Sequence, residues 1–158
     1  MSRQLVSLTL SAALALITGL FTSAIAESIP VFFVVVNANN PFSAEQAVMR
    51  AQIKRLYLKQ QHAWPNEDKG IPFDRPADNS AHTAFTREIL SMTEVELTSH
   101  WLRMKQTSGE TPPETVSSVR SLLRQIARNE GAFSVIHDGE ARKMPAKVRV
   151  LFRFSFDE

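Results

Sequence analysis

Apolar and polar positions along this chain switch between a two-residue and a helical period, and the switches mark out its elements. Ile29 to Val36 is a short, β-branched apolar run interrupted only by Pro30 and bounded by Asn37, the pattern of a fully buried strand. Asn39-Asn40-Pro41 makes a turn. Ser43 and Gln46 then form a capping-box pattern for a helix to about Lys59, with Val48, Met49, Ile53 and Leu56 inward. Trp64-Pro65 marks a turn, Asn66 to Gly70 another, and Ile71-Pro72-Phe73 a short strand. A polar corner from Asp74 to Ser80 opens into a helix to Leu90. Thr93 with Glu96 is a second capping box, opening a helix to about Lys105 with Leu97, Trp101 and Met104 on one face. Gln106 to Glu114 is a loop. Val119, Leu122, Leu123, Ile126 and Ala127 mark the cleanest amphipathic helix, ended by Gly131. Ala132 to Ile136 is a strand and Asp138-Gly139 a turn. Lys147 to Phe154 is a last strand, with Val148, Val150, Phe152 and Phe154 alternating against Arg149, Leu151 and Arg153 to leave one wet face. Strands interleaved with helices indicate an α/β layer fold. There is no internal repeat and no linker.

The first residues change the compartment expected. Arg3, the mostly apolar stretch Leu5 to Phe21 and the small-x-small site Ala24-Ile25-Ala26 read as a cleavable signal peptide over residues 1–26. This leaves residues 27–158 as one domain, periplasmic and with no membrane insertion after cleavage. The formal net charge is +2, of which Arg3 carries one unit, so no basic stripe for nucleic acid is expected. Cysteine is absent, which removes disulfides, thiolate metal sites and thiol nucleophiles and leaves stability to packing.

Enzyme chemistry finds no support. No glycine-rich phosphate loop, G-x-S-x-G elbow or H-E-x-x-H pair is present. The histidines His62, His82, His100 and His137 are scattered, without ligand spacing, so neither metal nor cofactor is expected. The corner before Ser80 is the better candidate. A strand feeding a helix there aims backbone N–H groups at one spot, and the helix dipole adds partial positive charge. Arg75 stands beside it with a guanidinium able to grip an anion at two points. Asn79 or Ser80 equally suits a plain N-cap. His82 and Thr83 follow on the first helical turn. Tyr57, Trp64, Phe85 and Trp101 read as packing aromatics. The last strand, if it lies at a sheet edge, offers a partner β-augmentation.

The order Leu56-Tyr57-Leu58, Trp64, the loop Arg75 to Thr83, Phe85, His100-Trp101-Leu102, Ser108-Gly109, Thr111-Pro112-Pro113 and Gly131-Ala132-Phe133 resembles the phosphate-type substrate-binding proteins of ABC importers. The likeness runs from about Val31 to Val150. It implies a compact type 2 periplasmic-binding-protein-like fold, a mixed sheet with flanking helices, holding phosphate or another small anion for an ABC permease or a sensor. It also implies that Ser108 and Thr111, in the second polar loop, face the cleft with Arg75, Asn79, Ser80, His82 and Thr83. Three departures stand beside it. The chain has about half the usual length, and Asn79-Ser80-Ala81-His82-Thr83 replaces the family's Ser-Gly-Thr turn. Lys59 stands where a glycine commonly follows the first aromatic helix. Two readings are open at this point: an anion binder, or a ligand-free module that keeps the fold and contacts an envelope protein.

Overall fold

The computed structural model describes residues 29–157, so the signal peptide expected over 1–26 lies outside the described residues. The elements run β1 (Val31–Asn37), α1 (Gln46–Tyr57), β2 (Ile71–Asp74), α2 (Ser80–Glu88), α3 (Glu94–Ser108), β3 (Glu114–Thr115), α4 (Val119–Arg128), β4 (Ala132–His137), a 3-10 turn (Asp138–Lys143) and β5 (Val148–Ser155). They form a mixed sheet of five strands in the order β3-β2-β4-β1-β5. β2 runs parallel to both β3 and β4, while β1 is antiparallel to both β4 and β5. This is an α/β fold, and β5 is an edge strand. Among the described residues no helix is long and apolar enough to cross a membrane.

Two apolar clusters sandwich the sheet. One joins Phe32, Val34, Val36, Phe133 and Phe152 to α1, α2 and α3 through Ile53, Leu56, Phe85 and Trp101. The other joins Val35, Phe73, Ile136 and Val148 to α4 through Leu122, Leu123 and Ile126. Successive β1 residues point to opposite faces, so a strand apolar at every position is what a sheet covered on both sides requires. The aromatics Tyr57, Trp64, Phe85 and Trp101 are all buried.

Several local expectations change. α1 begins at Gln46 without a side-chain cap, and the Ser43–Gln46 box does not form. Gln46 instead donates from Nε2 to the Arg153 carbonyl of β5, at 3.0 Å. Val48, expected inward, is 49% exposed. The Thr93–Glu96 box forms in full, and backbone and hydroxyl donation from Thr93 hold the Glu96 carboxyl below its usual range. α4 ends at Arg128 with Asn129 as its C-cap, before Gly131 is reached. The short strand β3 lies within the expected loop, and the Asp138-Gly139 turn extends into the 3-10 segment. Lys59, in the position expected of a glycine, has φ 58°, a left-handed backbone that disfavours any side chain.

The strict alternation expected of β5 is broken. Val34 pairs with Phe152 and Val35 with Val150, so Leu151 is an extra residue in the strand. Such a bulge reverses the faces beyond it. Val148 and Val150 therefore pack toward α4, whereas Phe152 and Phe154 pack toward α1–α3.

Candidate functional site

The strand–corner–helix unit forms as its residues suggest. β2 stops at Asp74, the chain turns through Pro76 to Asn79, and α2 starts at Ser80. Asn79 is the N-cap: its Oδ1 accepts from Ala81 N at 2.9 Å, and its carbonyl accepts from His82 N and Thr83 N. The first donors of α2 are thus largely satisfied within the helix start itself. Ser80 is exposed and Thr83 half-buried.

Arg75 is 3% exposed. One terminal nitrogen donates to Glu140 Oε1 at 3.0 Å and the other to the Val116 carbonyl at 3.2 Å, while Nε has no partner. The other Glu140 oxygen accepts from His137 N at 3.1 Å, so the short turn after β4 presents a fixed carboxylate to the guanidinium. The guanidinium is therefore committed inside the protein. Ser108 and Thr111 do not join it. Ser108 Oγ donates to the Met104 carbonyl at the far end of α3, and Thr111 is exposed in the loop beyond. No hydrogen bond links either of them to residues 75–83 among the described residues.

The corner's dominant polar feature is a chain of polar groups drawn from α1, β2, α2 and α3, buried at Tyr57, Asp74 and His82 and reaching the surface at Glu94. Tyr57 Oη donates to Asp74 Oδ2 at 2.6 Å, and Arg75 N donates to Asp74 Oδ1 at 2.7 Å. His82 Nδ1 lies 2.9 Å from Asp74 Oδ1, and its Nε2 lies 2.7 Å from Glu94 Oε1. A ring flanked by two carboxylates donates from both nitrogens, which is the imidazolium form. Burial lowers the His82 pKa, but the hydrogen bond and charge of Asp74, then those of Glu94, outweigh it and raise the value above the ordinary 6.5. Burial, followed by the Asp74 charge and hydrogen bond, raises the Tyr57 phenol far above its usual range, so it stays a donor. Local sequence gives no hint of this network, since Asp74 and Glu94 stand eight and twelve residues from His82. Among the described residues no group of His, Asp or Glu is placed to hold a metal ion.

A pH dependence follows. The folded chain holds the His82 proton more tightly than the unfolded chain does. That stabilisation is fully present below about pH 6.5 and is lost as pH rises through the raised folded value. Denaturation midpoints measured from about pH 5 to 8 should fall across the upper part of that range, and His82→Gln should flatten the fall. A midpoint that rises with pH over the same interval would contradict the pairing.

No family model and no curated protein sequence matches the chain. Solved structures do match. An ABC-type phosphate transport receptor from Vibrio cholerae superposes with a TM-score of 0.56 at 17% identity, over 78% of this chain and 46% of that one. PstS from Borrelia burgdorferi gives 0.57 at 9% identity, over 78% and 48%. A phosphate ABC transporter substrate-binding protein from Clostridium perfringens, with phosphate bound, gives 0.53 at 16% identity, over 77% and 44%. The chain spans less than half the length of each, and at such identities the likeness is one of fold. The described residues share the α/β fold of phosphate-type substrate-binding proteins, over a little under half of their length.

Proposed function

We propose that this chain is an exported, non-enzymatic module with a solute-binding fold that acts by contacting an envelope protein, not by gripping a free anion. One observation carries the reading: Arg75, the cation best placed for an anion, is buried and already neutralised by Glu140. A free anion would have to displace the Glu140 carboxylate from the buried guanidinium before it could take its place. The cap made by Asn79 adds to this, because it occupies donors that an anion at the start of α2 would use. Export to the periplasm rests on Arg3, the apolar stretch Leu5 to Phe21 and Ala24-Ile25-Ala26.

A second reading has its own observation. Arg75 Nε is buried without a partner, and the group facing the guanidinium is itself an anion on a short turn. A phosphate-like anion taking the place of the Glu140 carboxylate would make the chain a binder for an ABC permease or sensor.

Calorimetry with phosphate, sulfate and small carboxylates separates the two. Wild type should bind none of them at millimolar concentration, and binding there would favour the second reading. Glu140→Gln should lower stability by about 2 kcal/mol, because it weakens a charge-assisted bond to a buried guanidinium. An unchanged denaturation midpoint would mean that the pair is not structural.

A further inference from the structure

The two faces of the sheet are covered unequally: α1, α2 and α3 pack over one, and α4 with the 3-10 turn over the other. Phe33, Val119, Ala127 and Val150 on the thinner side remain only partly buried. Beside α4 this side opens into a groove of about 770 Å³ whose apolar lining includes Leu123, Ala127 and Pro145 and whose basic lining is Arg120, Arg124 and Lys143. These three cations are exposed, and none has an acidic partner among the described ion pairs. Helix α4 itself, VRSLLRQIAR, contains no acidic residue to balance its arginines.

We propose that this groove docks an acidic amphipathic helix of a partner protein. This rests on the contact reading above and names the partner's chemistry. Arg120, Arg124 and Arg128 follow each other at four-residue intervals along one side of α4, a step of about 6 Å along the axis. A helix laid alongside with carboxylates at the same interval meets each guanidinium, and a guanidinium can hold a carboxylate in a two-point grip. The apolar lining then takes the partner's large side chains, as grooves that bind helices do. Lys143, on the opposite segment, supplies positive charge to the other wall. A second copy facing the groove with its own basic rim is opposed by like-charge repulsion. A lipid surface is flat, whereas these apolar groups lie in a recess.

A phage-displayed library of helical peptides, selected on the folded protein, tests the proposal. Enriched sequences should carry Asp or Glu at four-residue spacing beside Leu, Phe or Trp. A synthetic peptide from that set should bind at least tenfold more weakly to Arg120→Glu/Arg124→Glu, and more weakly in high salt. Lys143→Glu, on a different segment, and Ala127→Trp, which fills the groove without changing charge, should each weaken it too. Arg103→Glu on α3 should not, and thermal melts establish which variants are folded. Absence of enrichment, enriched peptides without acidic residues, or equal binding by the folded variants would overturn the proposal. So would binding to phosphatidylglycerol vesicles, or a concentration-dependent dimer, that is lost in the same variants. Phosphate binding by wild type would sink the contact reading alone, whereas a selection without acidic residues would sink this proposal alone.

Discussion

Replacing Gly131 with alanine should destabilise the fold by about 3–5 kcal/mol, among the largest effects of any single methyl group in this chain. A Cβ at Gly131 would lie 1.9 Å from the Lys69 carbonyl oxygen and 2.9 Å from its carbon. Both are backbone atoms, so no side chain can rotate away to make room. The Gly131 segment cannot retreat either, because its carbonyl accepts from Trp64 Nε1 and from Ile71 N, each at 2.9 Å. That second bond starts the parallel pairing of β2 with β4. Gly70→Ala is the control: its Cβ would meet Leu56 Cδ2 at 2.7 Å, the end of a side chain that can shift, so about 1 kcal/mol is expected. Urea denaturation of the two variants measures the difference. A Gly131→Ala loss below about 1 kcal/mol would mean that the two backbones are not in contact.

Asp74→Ala should cost a similar amount, about 3–5 kcal/mol, for a different reason. One carboxylate accepts from Tyr57 Oη, His82 and Arg75 N. Removing it strands three buried donors, one of them on a charged ring, where water has little access. Tyr57→Phe removes a donor along with its need and should cost only about 1 kcal/mol. The ratio of the two losses, read from chemical denaturation, separates a carboxylate at the centre of a network from one half of a single hydrogen bond. Equal losses would mean that His82 and the Arg75 amide find other acceptors.

The parts of this structure legible in the sequence are those set by neighbours in the chain. Helix α4 shows its apolar face at helical spacing, and Thr93 and Glu96 declare a start of α3 that forms as written. The corner from Asp74 to Ser80 follows from a strand running into a capped helix. What stayed hidden depends on residues brought together from afar. Arg75 and Glu140 are 65 residues apart, and nothing near either announces that the guanidinium is already taken. Gly131 follows an amphipathic helix and so reads as its end. Its actual constraint is the passing Lys69 backbone, which no local pattern encodes. Ser43 and Gln46 show the reverse error: the spacing is right, but β5 offers the Gln46 amide a carbonyl elsewhere.

The extra residue at Leu151 ties the opening of one side of the molecule to the other. Without it, β5 would turn one apolar row toward a single layer of helices, and the two layers could loosen separately. With it, the same short strand anchors Val148 beneath α4 and Phe152 beneath α1–α3. Peeling β5 from β1 therefore opens both cores at once. Amide protons of β1 between Val34 and Val36 should accordingly exchange only through global unfolding, at a common free energy on both faces of the sheet.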